Sequence, residues 1–312
     1  MKKFPVILAA AASILLVFIV LFTSLQLVAK DESFINNEYT KIGVASEMGM
    51  TNVDLVRSFT RLVDYMEGRV STIGIEVTVN GEKQDMFALE QERSHMKDVR
   101  TLWLAVRQYR DLAIMACLIL FLLAVVLGFR SAPATLSRGY LYGFFICALF
   151  FGFFGSWALL DFSSFWTMFH ESLFWNDMWL FDPSESRMIN MLPESIFSDI
   201  ILRTVLYMGA VLIALLAASV ICLTSLRRTK ERMRAEKERR RLIKERKAAG
   251  LPIEDELLSP AQRKARREKQ REEARRAEEL KKKQLQRQKA KEKAEKDAER
   301  EKEKQLLLAA LD

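Results

Sequence analysis

Histidine is close to absent from this chain, which holds two in 312 residues, and cysteine is scarce at three. Cys117, Cys147 and Cys222 all fall inside apolar runs. There a thiol packs as a small hydrophobe, and a thiolate would be disfavoured by desolvation. Neither a disulfide framework nor a cysteine nucleophile is expected. The chain has no G-x-S-x-G elbow, no phosphate-binding loop and no dinucleotide fingerprint, so the commonest hydrolase, nucleotidase and oxidoreductase signatures are missing. His170-Glu171 opens like a zincin helix, but the fifth position is Phe174 where a second histidine would be needed. The apolar runs carry no internal acid and the chain no internal repeat, which argues against a transporter.

What the chain does have is apolar length and charge, kept apart. Half of its residues are apolar and 28% are charged. Residues 227–312 hold 31 lysines and arginines against 19 acids, a surplus of 12, while residues 1–226 hold 17 against 21, a deficit of 4; together they give the net +8. The basic balance therefore belongs to a tail and says nothing about the substrate of the body.

Four apolar runs are long enough to cross a bilayer core of about 30 Å, which takes roughly 20 helical residues. They cover residues 1–28, 112–129, 139–160 and 200–226. The first is longer than a signal-peptide core and ends in Leu27-Val28-Ala29, a poor cleavage site, so it reads as an uncleaved anchor. Lys2 and Lys3, Arg130 and Arg138 in the short connection 130–138, and Arg227, Arg228 and Lys230 after the last run place both termini and that connection on the cytoplasmic side. Residues 29–111 and 161–199 then lie outside, and the two histidines, His95 and His170, share the outer face.

The first outer segment has enough pattern to fold as an α+β cap. Thr51 or Asn52 can cap a helix through Tyr65 with Leu55, Phe59, Leu62 and Val63 on one stripe, ended by Gly68. Residues 73–79 alternate in the β manner, Asn80-Gly81 is a strong hairpin turn, and a return strand is expected at 84–88. A helix then starts near Leu89 and runs into the second span, with Glu92, His95 and Asp98 at i, i+3, i+6. The tail, 227–312, is rich in Lys, Arg, Glu, Gln and Ala and is broken at Gly250, Pro252 and Pro260. It predicts solvated helices laced with i,i+4 pairs and lacks a sustained heptad seam for a coiled coil. The fold expected is a mainly α membrane protein: four transmembrane helices, a small extracytoplasmic α+β cap and a long charged cytoplasmic helical tail.

Seventeen of the 31 aromatic residues lie between Tyr140 and Phe181. A membrane-interface belt explains many of them. It does not explain the acids Glu171, Asp177, Asp182 and Glu194 among them, nor His170, which has Trp166 and Phe174 four residues to either side. Histidine is the side chain suited to proton transfer near neutral pH, so the two imidazoles on one face point to acid–base chemistry in an aromatic pocket. No cofactor is expected; His95, Asp98, His170 and Glu171 are the one set that could ligate a metal. The competing class is a membrane scaffold that recruits partners and uses both histidines structurally.

Glu92, His95-Met96 and Asp98-Val99, followed by Phe169-His170, Phe174, Asn176-Asp177, Trp179, Phe181-Asp182-Pro183, Ile189 and Leu192-Pro193-Glu194, resemble the bacterial lipoprotein intramolecular transacylases (Lit). The resemblance covers about residues 1–226; the tail has no counterpart in it. It implies an acyl shift within a diacylglyceryl-modified lipoprotein, from the sn-2 ester to the α-amine of the lipidated N-terminal cysteine. His95 and His170 would then be the catalytic acid and base, in either order. Glu92, Asp98, Glu171 and Asp177 would support or orient them. Asn176, Trp166, Trp175, Trp179, Phe169 and Phe174 would form the oxyanion and substrate pocket. The implied partners are such lipoproteins and membrane lipid, with no nucleic acid.

Overall fold

A computed structural model of the chain describes residues 3–253 and 255–309. It is mostly helical, with one two-stranded sheet, and it divides into residues 1–228 and residues 229–312.

Four helices in it are long and apolar enough to cross a membrane. Helix α1 (Lys3–Ala29) packs its small residues inward: Ala9, Ala12 and Ser13 are fully buried. Ala9 and Ser13 meet Gly139 and Gly143 of a later helix so closely that a Cβ on Gly139 would lie 2.3 Å from Ala9 Cβ, and one on Gly143 would lie 2.7 Å from Ser13 Cβ. Small residues let two backbones approach where lipid tails supply no hydrophobic drive between helices. Conversely Leu118, Leu122, Leu149, Phe153, Leu206 and Ile213 face outward, as side chains solvated by hydrocarbon do.

The cap follows α1. Asp31 caps helix α2 (Glu32–Ile42) by accepting from Phe34 N, and it pairs with Arg203 at 2.8 Å. Gly43, at φ 82°, ends α2 and leads into the single turn α3 (Val44–Glu47). Thr51 caps α4 (Asn52–Met66), whose expected stripe of Leu55, Phe59, Leu62 and Val63 is buried. The hairpin of β1 (Glu76–Val79) and β2 (Glu82–Asp85) pairs Val79 with Glu82 and Glu76 with Asp85, around Asn80 and Gly81 at φ 51° and 86°. The first strand is shorter than the alternation over 73–79 predicts, and the return strand comes earlier than the expected 84–88, starting directly after Gly81. Beyond the last pair one backbone bond continues, from Met86 N–H to the Ile75 carbonyl (2.9 Å), and the Asp85 carboxyl takes the N–H groups of Ile75 and Phe87 (3.3 and 3.1 Å) as a side-chain cap.

Helix α5 (Glu90–Leu127) fuses the last cap helix with the second span, as expected. The connection to the third span is tighter than the charge pattern suggests. Gly128 and one 3₁₀ turn (Phe129–Ser131) suffice before α6 (Ala132–Leu160), because Pro133 in its first turn is pre-organised for the helix. Helix α7 (Phe162–Leu173), capped by Asp161, turns back after α6. A loop and the short α8 (Arg187–Met191) lead to α9 (Glu194–Ala248), which carries the fourth apolar run. In the second unit, α10 (Pro260–Ala309) is held by i,i+4 pairs such as Lys269–Glu273 and Glu272–Arg276.

Candidate active site

His95 stands on the cap portion of α5, outside the apolar run, and is 6% exposed. His170 is the buried residue of α7, at 8%. The two rings, 75 residues apart in sequence, have centroids 6.1 Å apart and planes inclined by 32°. Helical spacing on α7 puts Trp166, Phe169 and His170 on one face: Trp166 meets His170 edge-on at 4.6 Å, and Phe169 does so at 5.5 Å. Phe174 was expected one helical turn beyond. The helix ends at Leu173, yet Phe174 in its extended C-cap conformation still lies 5.0 Å from His95 and 5.7 Å from His170. Trp179 stacks on His170 at 5.0 Å, and Phe181 meets His95 at 5.5 Å.

Burial among these rings lowers the proton affinity of both imidazoles, because a charged form there has lost its water. His95 is pushed down to about 4, chiefly by desolvation and then by the charge of His170, while the Asp98 carboxylate opposes both. His170 is lowered by desolvation against a hydrogen bond to the Trp166 carbonyl. Both rings are therefore neutral at pH 7. That bond, 2.8 Å from Nδ1 to Trp166 O, requires Nδ1 to carry the proton, which leaves Nε2 with the lone pair. Among the described residues the buried Nδ1 of His95 has no hydrogen-bond partner, so this ring is not locked into one tautomer.

The acids divide. Asp98 is electrostatically coupled to His95 and accepts from Asn176 Nδ2 at 3.0 Å. Glu92, read from its spacing as an orienter of His95, is almost completely buried and faces another element. Its Oε1 accepts from Ser186 Oγ (2.7 Å) and Met188 N (3.0 Å), and its Oε2 accepts from Leu89 N (3.4 Å). It ties α8 to the first turn of α5. Glu171 and Asp177 are exposed, and Trp175 is fully so, at 101%; the fold does not bring these three to the imidazoles. Asn176 is engaged at both ends of its amide, since its Oδ1 accepts from Met178 N, with one N–H left over.

Three contributors were not singled out as site residues from sequence. Phe181 sits in the aromatic run but is too distant in the chain for spacing to link it to His95. Ser186 is an ordinary polar loop residue until Glu92 is seen beside it. Gln91, one turn before His95 on α5, shares that helix face, and its Nε2 donates to the carbonyls of Met178 (3.3 Å) and Leu180 (2.8 Å). Among the described residues, no three His, Cys, Asp or Glu side chains gather as a metal site.

The sequence model of the family described as "Lipoprotein intramolecular transacylase Lit" matches residues 10–197, more than half of the chain and all of the histidine site. No curated protein gives a significant sequence match. Among solved structures, the in meso structure of the membrane integral lipoprotein intramolecular transacylase Lit from Bacillus cereus shares the fold at a TM-score of 0.53 and 19% identity, over 75% of this chain and 100% of that one. Two structures of the same protein, with one histidine replaced by arginine or by alanine, match at 20% identity and TM-score 0.53. They cover 74% of this chain and 95% and 96% of theirs. This membrane protein belongs to the lipoprotein intramolecular transacylase family, Lit.

Proposed function

We propose that the chain moves the sn-2 acyl group of a diacylglyceryl-modified lipoprotein to the α-amine of its N-terminal cysteine, leaving the N-acyl S-monoacylglyceryl, or lyso, form. The observation that carries this reading is the pair of neutral imidazoles, 6.1 Å apart inside a cage of rings. In this shift the amine nitrogen bonds to the ester carbonyl carbon, the bond from that carbon to the glyceryl oxygen breaks, and one proton has to travel from nitrogen to oxygen. His170, with its Nδ1–H held by the Trp166 carbonyl, accepts the proton at Nε2. His95, free to change tautomer, passes it to the departing glyceryl oxygen. An α-amine with a pKa near 8 is largely protonated at neutrality; the ammonium proton goes to solvent before attack. The proton that the two imidazoles carry is the second, lost by the amine as it attacks, and help of this kind is worth about 10² to 10⁴. No acyl-enzyme is required, because amine and ester belong to one molecule and the cage has only to hold them together. The free N–H of Asn176 and the indoles of Trp166 and Trp179 are the candidate donors to the oxyanion.

The basic flanks at Lys2, Lys3, Arg130, Arg138, Arg227, Arg228 and Lys230 support an orientation with both termini and the tail in the cytoplasm and the histidines at the outer face. Residues 29–111 and 161–199 then form the extracytoplasmic parts, and residues 227–312 the charged tail. The surplus of basic residues in that tail suits the anionic lipid of the inner leaflet.

The test is fragmentation mass spectrometry of lipoproteins from a host with and without the chain. An O-to-N shift leaves the intact mass unchanged, so the diagnostic change is an N-acylated cysteine carrying a monoacylglyceryl thioether. Identical fragmentation in the two hosts, with the protein present in the membrane, would refute the assignment.

A further inference from the structure

Both imidazoles are more than nine-tenths buried, yet any substrate has to reach them. Besides Trp166 and Phe169 of α7, what covers them is one stretch, residues 174–181, whose Phe174, Trp179 and Phe181 rest on the two rings. This strap has no regular structure apart from a turn, and it is fastened to α5 at two places. Near its start Asn176 donates to Asp98. Near its end Gln91 reaches across and donates through one amide nitrogen to two strap carbonyls, those of Met178 and Leu180. Those carbonyls flank Trp179 and immediately precede Phe181, the residues that cover His170 and His95 respectively. The outer side of the strap leaves Trp175, Met178 and Leu180 exposed, so the strap is held from its inner side, by the rings of Phe174, Trp179 and Phe181 together with these polar fastenings.

We infer that Gln91 is a positioning residue that latches the aromatic strap over the histidine pair, and that release of this latch is how an acylated substrate gains access. The inference deepens the transacylase reading and rests on it for the identity of that substrate. The latch itself does not depend on that identity. Its chemistry is specific, because the group facing the two carbonyls must be a donor. Glutamate has nearly the shape of glutamine but presents only acceptors to them, whereas lysine, though different in shape, restores N–H groups.

Because the chain has two histidines in all, access can be read residue by residue from carbethoxylation by diethyl pyrocarbonate, followed by peptide mass spectrometry of the full-length protein in micelles at pH 7.5. Both rings are neutral there, so the rate reports exposure rather than protonation. In the native protein both should react slowly compared with free imidazole. Gln91→Glu and Gln91→Ala should raise both rates by about tenfold, the order expected for losing two neutral hydrogen bonds from a local closing equilibrium, with the thermal midpoint nearly unchanged. Gln91→Lys should restore protection. Histidines as protected in Gln91→Glu as in the native protein, or as reactive in the native protein as free imidazole, would overturn the inference. If the Gln91 variants do not fold, Asn176→Ala releases the other fastening and carries the same two outcomes. No lipoprotein enters this assay, so a wrong substrate assignment would leave its result standing, and a failed latch would leave the acyl-shift test intact.

Discussion

Acidification should find the histidine pair unusually reluctant to charge. The proton affinity of His95 falls from the ordinary 6.5 to about 4, a difference worth about 3 kcal/mol against protonation in the folded state. The groups facing it are the rings of Phe174 and Phe181, His170 from α7, and Asp98 on its own helix; Glu92 is turned toward Ser186. Since the unfolded chain takes up this proton below pH 6.5 and the folded chain does not until about 4, stability is fully present above 6.5. It is lost as the pH falls between those values, by about 2 kcal/mol at pH 5. His170 acts in the same direction. The assay is nitrogen NMR of the full chain labelled at histidine, in which two residues give all the signals. His95 should keep neutral-ring shifts down to about pH 4.5, and His95→Gln should lose less stability than the native protein between pH 7 and 5. A His95 midpoint near 6.5, or the same acid loss in the native protein and in His95→Gln, would refute the burial argument on which the proton relay depends.

Other consequences concern the frame. Glu92→Ala strands the buried donors Ser186 Oγ and Met188 N–H and should cost about 3 to 5 kcal/mol by thermal or denaturant unfolding; Glu92→Gln, which keeps an acceptor, should cost clearly less. Gly139→Val places a side chain where Ala9 already lies 2.3 Å from a bare Cβ, so the α1–α6 contact must open, at about 1 to 3 kcal/mol; Gly152→Val, where nothing lies within 4 Å, is the control. Truncation after Arg228, at the division between the two units, should leave acyl transfer intact when the shortened protein inserts at normal levels, and loss of transfer would mean the tail takes part in the reaction.

The parts of this molecule that local chemistry dictates were legible in the sequence. Hydropathy marks the four spans, Thr51 and the stripe after it mark α4, Asn80-Gly81 marks the hairpin, and Leu89 marks the start of α5. The histidine pair could be anticipated because so few candidates exist and each lies in one of the two long hydrophilic segments between apolar runs. What could not be read is what each acid faces. Helical spacing brings Glu92 within reach of His95, but a carboxyl goes where unsatisfied donors are, and those are supplied by Ser186 and Met188 from a segment more than ninety residues later. The same holds for the strap. Trp175 and Trp179 look equivalent in sequence, yet the path of a loop without secondary structure puts one against His170 and leaves the other bare. Long-range side-chain contacts, with no periodicity to announce them, are the missing information.

The central claim is that His95 and His170 carry one proton transfer together, and it is tested most directly by replacing each, and then both, with glutamine and measuring O-to-N acyl transfer on a diacylglyceryl lipopeptide in reconstituted vesicles. Glutamine keeps hydrogen bonding but cannot shuttle a proton near pH 7. Each single replacement should lower the rate by about 10² to 10⁴, and the double replacement should cost little more than the worse single one, since groups in one relay are far from additive. Losses that multiply, or full activity in folded single variants, would contradict it.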